Sequence, residues 1–290
     1  MKFGIYYAYW EKEWEADYKY YIEKVAKLGF DILEIAATPI SHYSDKQINE
    51  LKACAKDNGI ILTAGHGPSA EQNLSSADPE VRKNAKAFFT DLLKRLNKLD
   101  IHQIGGALYS YWPVDYSKPI DKKGDWERSV ESVREIAKIA EDCGVMYCLE
   151  VLNRFENYLL NTAEEGVSFV KQVDNPSVKV MLDTFHMNIE EDSIGGAIRT
   201  AGSYLGHLHT GECNRRVPGK GRTPWKEVGE ALRDIGYNGS VVMEPFVRMG
   251  GTVGSNIKVW RDISRGADEK MLDNDAKDAL IFSKYMLENC

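Results

Sequence analysis

The feature of this sequence that most constrains its fold is a repeated alternation between short β-rich runs and longer segments with helical spacing. Each run is followed by a segment whose apolar residues recur every three or four positions. Several runs are apolar almost throughout, which is typical of strands covered on both faces. The predicted strands are residues 3–9, 30–36, 61–67, 103–109, 146–152, 178–183, 205–209 and 240–244.

Residues typical of helix starts and helix ends support the predicted helices between these strands. Gly29 follows an amphipathic segment and is expected to end it, and the next strand begins at once. Asp78 and Pro79 suit an N-cap and a first-turn position. Thr162 and Glu165 have the spacing of a capping box, and a last helix is expected around residues 279–287. Each helix would thus return the chain for another parallel strand.

Eight strand and helix units in about 250 residues are the count and length of a (β/α)8 TIM barrel. The 290-residue chain has no Pro-, Ser- or Gly-rich linker, so a single domain over residues 1–290 is expected. The alternative is a doubly wound open sheet. It would need a glycine-rich phosphate-binding turn after the first strand, whereas Tyr9, Trp10 and Glu11 stand there.

Charge and composition exclude several classes of partner. A net charge of −7 and a pI near 5.5 disfavour nucleic acid, because binding to phosphates requires clustered Lys and Arg. No stretch approaches the roughly 18 apolar residues of a membrane span, and no secretory cleavage site is evident. The cysteines are odd in number and lack CxxC spacing, so a reduced, cytoplasmic protein is expected. They are Cys54, Cys143, Cys148, Cys213 and Cys290.

A ligand-type side chain closes each of the last four predicted strands. Glu150, Asp183, His209 and Glu244 each end an apolar run, one per strand and helix unit. In a TIM barrel the carboxyl ends of the strands form one mouth, where the chemistry takes place. We therefore expect these four side chains to converge.

The alternative for each of the four is a lone polar residue leaving a strand for solvent. Four in succession favour a common purpose, because three buried carboxylates repel one another unless a cation lies between them. Three carboxylates and one imidazole suit Mn²⁺ or Co²⁺, with Mg²⁺ as a further candidate, whereas structural zinc prefers thiolates. The sequence thus predicts one divalent metal.

Hydrogen-bonding residues lie just past the same strand ends. Glu156, His186 and Arg215 suit a polyhydroxylated ligand, although ordinary loop polarity is the alternative for each. His207 precedes His209 by two residues, so both are expected on one barrel face, with His207 as a supporting or packed residue. His66, at the end of the third strand, is a candidate for the border of the site.

Aromatic residues also gather near the predicted strand ends. They are either core filler or an apolar wall that excludes water from a sugar site, and the sequence leaves this open for each one. They are Tyr6, Tyr9, Trp10, Tyr109, Tyr111, Trp112 and Phe246.

Four segments together resemble the ketose 3-epimerases, a family that includes D-tagatose 3-epimerase. The resemblance runs essentially from end to end and also includes the Tyr-Tyr-Ala-Tyr-Trp opening. The segments are Glu-Val-Leu-Asn-Arg-Phe-Glu (150–156), Asp-Thr-Phe-His-Met-Asn (183–188), His-Leu-His-Thr-Gly-Glu-Cys-Asn-Arg (207–215) and Glu-Pro-Phe (244–246).

This resemblance implies a xylose-isomerase-like TIM barrel, one Mn²⁺ or Co²⁺ per subunit, and reversible inversion at C3 of free ketohexoses such as D-fructose and D-tagatose. It also implies a homo-oligomer, either a dimer or a tetramer. The implied metal ligands are Glu150, Asp183, His209 and Glu244, and the implied proton-transfer groups are Glu150 and Glu244. The implied substrate contacts are Glu156, His186 and Arg215, with Tyr6, Trp112 and Phe246 near the distal end of the sugar.

Inversion at C3 of a ketose passes through a planar enediolate. Two groups on opposite faces of that plane perform it most simply, and Glu150 and Glu244 are the candidates. Rival hypotheses are an aldose–ketose or hydroxypyruvate isomerase, an abasic-site endonuclease and a sugar-binding barrel without turnover. The acidic chain lacks the basic surface that an endonuclease needs.

Overall fold

A computed structural model describes residues 1–289, and within them eight parallel strands close into a barrel, which confirms the predicted fold class. Cys290 lies outside the described residues. The strands are β1 (Lys2–Tyr6), β2 (Ile32–Ala36), β3 (Ile61–His66), β4 (Gln103–Gly106), β5 (Met146–Glu150), β6 (Val178–Asp183), β7 (Leu205–Thr210) and β8 (Ser240–Met243).

Helices connect the strands and surround the barrel. Short 3-10 turns at Tyr7–Tyr9, Ala70–Gln72 and Gly202–Tyr204 complete the chain path. The helices are α1 (Tyr18–Leu28), α2 (Ala37–Ile40), α3 (Asp45–Asp57), α4 (Pro79–Lys98), α5 (Lys122–Asp142), α6 (Ala163–Val173), α7 (Thr184–Glu190), α8 (Ile194–Ala201), α9 (Trp225–Asp234), α10 (Gly251–Ile257) and α11 (Glu269–Glu288).

The strand register brings the predicted ligands together. Each strand pairs with its neighbours in sequence order, and β8 closes the ring on β1. Asp183 pairs directly with His209 across β6 and β7, and His209 pairs with Val242 of β8. Glu150 pairs with Met181, two residues before Asp183. All four side chains therefore leave their strands at the same mouth.

Five strands end earlier than the sequence predicts: β1 and β4 by three residues, β5 by two, and β3 and β8 by one. The first strand ends at Tyr6, because the chain turns into the 3-10 turn Tyr7–Tyr9. The fourth ends at Gly106, whose φ of 128° lies in a region that side chains disfavour. A Cβ there would lie 2.1 Å from the carbonyl oxygen of His66, so only glycine permits this approach of the two strands.

Most predicted helix ends are confirmed. Gly29 ends α1 with a φ of 91°, and the Asp78 side chain accepts a hydrogen bond from the backbone of Glu80 at the start of α4. The capping box predicted at α6 is incomplete, since Thr162 accepts from the Glu165 backbone but Glu165 bonds the Asn161 backbone instead. The last helix is longer than predicted and spans Glu269–Glu288.

The hydrophobic core fills the space between the strands and the surrounding helices. No helix within residues 1–289 combines the length and apolar character needed to cross a membrane. The described cysteines are all free, as expected for a chain without a disulfide framework. They are Cys54, Cys143, Cys148 and Cys213, and the fifth cysteine of the sequence, Cys290, is not among the described residues.

Candidate active site

A cavity of about 670 Å³ opens at the carboxyl ends of the strands. Its walls combine acidic groups, imidazoles, one arginine and aromatic rings, which is the make-up of a small-molecule site. Its lining includes nine of the predicted site residues: Tyr6, Trp112, Glu150, Glu156, His186, His209, Arg215, Glu244 and Phe246.

Asp183, the tenth predicted residue, lies immediately behind this lining and is 1% exposed. Its carboxylate, a ring nitrogen of His209 and a carboxylate oxygen of Glu244 lie within 4.8 Å of one another. A second group with the same spacing joins Asp183 to Glu150 and His186. Asp183 therefore links the four predicted ligands into one continuous cluster.

The acidic cluster carries more negative charge than a buried site tolerates alone. Burial raises the pKa of Glu150 well above its ordinary value, and the neighbouring Glu244 and Asp183 raise it further, while His209 opposes them. Burial lowers the pKa of His209, but Glu34 and Glu244 outweigh this and raise it well above its ordinary value. In both shifts the neighbouring carboxylates act in the direction that favours a nearby positive charge.

The donor set fits a divalent cation. Nδ1 of His209 is buried and has no hydrogen-bond partner within residues 1–289, although Oε1 of Glu244 lies 3.5 Å away. A free imidazole nitrogen beside three carboxylates is a set of ligands that suits ions of the Mn²⁺ or Mg²⁺ kind. The clusters are therefore compatible with a divalent metal.

Arg215 faces three carboxylates at once. Its Nη1 lies 3.2 Å from Oε2 of Glu244 and 3.5 Å from Oδ2 of Asp183, and its Nη2 lies 3.6 Å from Oε1 of Glu156. Burial lowers the pKa of Arg215, but Glu156, Glu244 and Asp183 raise it above its ordinary value. The guanidinium is thus a permanent positive charge in the cavity wall.

His186 has a defined orientation and tautomer. Its Nδ1 faces the backbone N–H and the side-chain amide of Asn153, at 3.3 Å and 2.8 Å, so Nδ1 accepts and Nε2 carries the proton. Nε2 lies 3.6 Å from Oε1 of Glu150. Burial lowers the pKa of His186 despite the nearby Glu156 and Asp183, so the ring is a neutral hydrogen-bond donor.

Glu156 is held by several donors. Its Oε1 accepts from Nδ2 of Asn153 at 3.0 Å, and its Oε2 accepts from Nε1 of Trp112 at 3.1 Å. Burial raises the pKa of Glu156, but the charge of Arg215 and the hydrogen bonds from Asn153 and Trp112 lower it below its ordinary value. Glu156 is therefore ionised and ties Trp112, His186 and Arg215 into one network.

Sequence reasoning missed Glu34, which is fully buried within β2. Its two oxygens lie 2.6 Å from Nε2 of His209 and 2.8 Å from Nε2 of His207, and Thr63 donates to it at 2.8 Å. The available signal was one charged residue inside an otherwise apolar strand. His207 and His209 do share a face, with ring centroids 4.9 Å apart, which confirms that prediction.

Asn153 orients His186 and is a second residue that sequence reasoning did not identify. The aromatic residues divide into the two groups that the sequence left open, except Tyr111, which is half-buried and lies outside the lining. Tyr6, Trp112 and Phe246 line the cavity, as does His66, which borders the site as expected. Tyr9, Trp10 and Tyr109 lie outside the lining and are buried in the core.

Comparisons with known proteins identify the family of the chain. Residues 22–265 match the family described as Xylose isomerase-like TIM barrel. The chain is 84% identical to the D-psicose 3-epimerase of Ruminiclostridium cellulolyticum, covering 99% of this chain and 98% of that protein. It is 65% identical to the D-psicose 3-epimerase of Agrobacterium fabrum, covering 99% of each.

A crystal structure of D-psicose 3-epimerase with D-tagatose from Clostridium cellulolyticum superposes with a TM-score of 0.99. Its sequence is 84% identical, and the match covers 99% of this chain and 100% of that one. The chain belongs to the xylose isomerase-like TIM-barrel family. Within that family it is an isomerase of the carbohydrate 3-epimerase class, and the resemblance to the ketose 3-epimerases is confirmed.

Proposed function

We propose that the chain reversibly inverts C3 of free ketohexoses, converting D-fructose to D-psicose, with D-tagatose to D-sorbose as a further candidate. The observation that carries this proposal is the placement of Glu150 and Glu244 at one mouth with Asp183 and His209 between them. The names of the relatives support it, since D-psicose and D-fructose differ only at C3.

Glu150, Asp183, His209 and Glu244 are the proposed ligands of one divalent cation, Mn²⁺ or Co²⁺, with Mg²⁺ as a further candidate. When bound, such a cation supplies Lewis-acid stabilisation of the negative charge that develops on the C2 and C3 oxygens. The unpartnered Nδ1 of His209 and the crowded carboxylates support this assignment.

Glu150 and Glu244 are the proposed proton-transfer groups. One carboxylate removes the C3 proton next to the C2 carbonyl, which leaves a planar enediolate, and the other carboxyl returns a proton to the opposite face. β5 and β8 lie three strands apart in the eight-strand ring, so these two side chains approach a ligand from different sides of the mouth. After one turn the two carboxyl groups have exchanged protonation states, and proton exchange with solvent restores them before the next turn in the same direction.

His186 and Arg215 are the proposed donors to the substrate oxygens. The Nε2 proton of His186 points toward Glu150, and the Arg215 guanidinium lies beside Glu244, so each donor accompanies one proton-transfer group. Glu156 lies 3.6 Å from Nη2 of Arg215 and is linked to His186 through Asn153, and it is the proposed third polar contact. Fixed donors near developing oxyanion charge lower the barrier without reorganisation in the transition state.

The cavity favours an unphosphorylated sugar. Among the described residues that line it, Arg215 is the single lysine or arginine, and three carboxylates already face its guanidinium. A substrate phosphate needs unengaged cations or backbone N–H groups for binding. The proposed distal wall is instead aromatic, formed by Tyr6, Trp112 and Phe246.

We further propose that residues 1–290 form a single TIM-barrel domain that assembles as a dimer or tetramer in the cytoplasm. Two large aromatic residues are strongly exposed, Phe155 at 73% and Trp260 at 68%, and such side chains are common at subunit interfaces. The free cysteines support a reducing compartment. Sedimentation analysis at several concentrations tests the assembly.

Product analysis tests the proposed reaction. Purified protein, first analysed for bound metal and then loaded with Mn²⁺, is incubated separately with D-fructose, D-tagatose and their aldose isomers. We expect D-fructose to yield D-psicose and no aldose. An aldose product would instead support an aldose–ketose isomerase, and the absence of any product would leave only a sugar-binding barrel.

A further inference from the structure

The fully buried carboxylate of Glu34 stands apart from the proposed ligand cluster but contacts one of its members. Glu34 lies in β2, whose five residues are all buried, and it is the charged member of that strand. Burying an isolated carboxylate costs several kcal/mol of folding free energy unless strong partners compensate for it. Because the Glu34 carboxylate is buried inside the barrel, the side chains that form hydrogen bonds with it indicate its role.

Within residues 1–289, the side chains that form hydrogen bonds with Glu34 all act as donors. Oε2 accepts from the Thr63 hydroxyl and from Nε2 of His207, each at 2.8 Å, and Oε1 accepts from Nε2 of His209 at 2.6 Å. An ionised carboxylate can only accept hydrogen bonds, so both imidazoles must carry their proton on Nε2. His207 is fully buried and fills the layer beneath His209.

This contact determines which nitrogen of His209 is free. When the neutral ring carries its one proton on Nε2, Nδ1 keeps its lone pair, and Nδ1 is the ring atom of His209 without a hydrogen-bond partner in residues 1–289. Nδ1 also faces Oε1 of Glu244 at 3.5 Å. If the ring turned over or changed tautomer, an N–H group would face the acidic cluster instead and could not bind a cation.

We infer that Glu34 is a positioning residue that fixes the tautomer and ring orientation of His209 so that Nδ1 can bind the divalent cation. Hydrogen bonds from a metal-binding imidazole to a carboxylate orient the ring and increase its basicity. Loss of such a partner costs about 10- to 100-fold in metal affinity. The inference rests on the proposed metal site but adds a residue that contacts neither cation nor substrate.

The test compares Mn²⁺ affinity in two matched variants, measured by electron paramagnetic resonance titration of free Mn²⁺. Glu34→Gln keeps the shape but presents an amide N–H to one donor, and we expect its Mn²⁺ affinity to fall about 10- to 100-fold. Thr63→Val removes one hydrogen bond to the same carboxylate but keeps its charge and both histidines. We expect its Mn²⁺ affinity to stay within about threefold of wild type.

Thermal unfolding of the metal-free proteins separates positioning from general destabilisation. A Glu34→Gln protein that is folded and binds Mn²⁺ as tightly as wild type would overturn the inference while leaving the proposed function intact. Wild-type protein that binds no Mn²⁺ would overturn both. A fall in affinity of equal size in Thr63→Val would also overturn it, because a shared packing defect would then account for the loss.

A measurement on the wild type covers the case in which Glu34→Gln does not fold. Anomalous scattering from a Mn²⁺-soaked crystal locates the ion relative to the His209 ring. We expect Mn²⁺ beside Nδ1, with Nε2 still bonded to Glu34. Mn²⁺ found among Glu34, His207 and His209, which are themselves spaced closely enough to bind an ion, would overturn the inference.

Discussion

The guanidinium carbon of Arg215 lies 3.6 Å from the centroid of the Phe185 ring, so the cation stacks on an aromatic face. Phe185 follows Asp183 by two residues and is half-buried. The backbone of Arg215 has a φ of 62°, which is uncommon for a residue with a side chain. Stacking and ion pairs together hold the guanidinium toward the carboxylates.

We expect Phe185→Leu to weaken the hold on Arg215 without removing any charge. An aromatic-cation contact of this kind contributes about 1 kcal/mol, so kcat/KM for D-fructose should fall roughly fivefold. Phe185→Tyr retains the ring and should stay within about twofold of wild type. Equal kcat/KM for Phe185→Leu and wild type would show that the ion pairs alone hold Arg215 in place.

Glu212 maintains the loop that carries Arg215. Its carboxylate accepts from Gly219 N at 2.7 Å, from Nε1 of Trp225 at 2.8 Å and from Thr223 N at 3.0 Å, and its side chain is fully buried. Glu212→Gln would place an amide N–H against one of these donors. We expect a loss of about 2–3 kcal/mol in unfolding free energy, seen as a lower midpoint in thermal unfolding.

Thr223 offers a comparison within the same loop. Thr223→Val removes only a hydroxyl hydrogen bond, 3.2 Å long, to the carbonyl of Gly211. We expect a smaller loss, about 1 kcal/mol, because one neutral hydrogen bond is removed and the carboxylate keeps its partners. Equal unfolding midpoints for Glu212→Gln and wild type would contradict the supporting role of Glu212.

Neutralising either proposed proton-transfer group should stop turnover. We expect Glu150→Gln and Glu244→Gln each to lower kcat by roughly 100-fold or more, since an amide cannot exchange a proton with C3. Glu141→Gln makes the same chemical change at an exposed position and should have no effect. A near-normal kcat in either site variant, with metal bound, would refute the two-carboxylate scheme.

Metal binding should stabilise the folded protein as well as support turnover. Mn²⁺ at 100 times its dissociation constant adds about 2.7 kcal/mol to the unfolding free energy, so the midpoint of thermal unfolding should rise by roughly 5 °C. Asp183→Asn removes a carboxylate of the linked cluster, so Mn²⁺ should raise the unfolding midpoint of this variant clearly less. Full activity in a metal-stripped, folded preparation would exclude a catalytic role for the metal.

The barrel and the convergence of Glu150, Asp183, His209 and Glu244 could be predicted because both depend on local patterns. Apolar runs that end in Glu150 or Asp183 are visible in the sequence, and parallel strands in a closed ring bring such ends to one mouth. Helix ends such as Gly29 and Asp78 are likewise determined by nearby residues. Because the barrel is closed, residues spaced one per strand and helix unit come together at its mouth.

Residues whose partners are distant in sequence could not be predicted. Glu34 binds histidines 173 and 175 residues away, and β2 and β7 face each other only across the interior of the closed barrel. The early end of β4 at Gly106 depends on the close approach of the His66 carbonyl, which also has no signal in the sequence. The roles of the individual site residues stay predictions.

Deuterium labelling tests the central claim most directly. D-Fructose is incubated in D₂O with the Mn²⁺-loaded protein, and the D-psicose formed is analysed by proton NMR. Proton exchange through carboxyl groups at the mouth predicts deuterium at C3 of the product and none at C1. Deuterium at C1, or D-psicose that retains its original C3 hydrogen, would contradict inversion by Glu150 and Glu244.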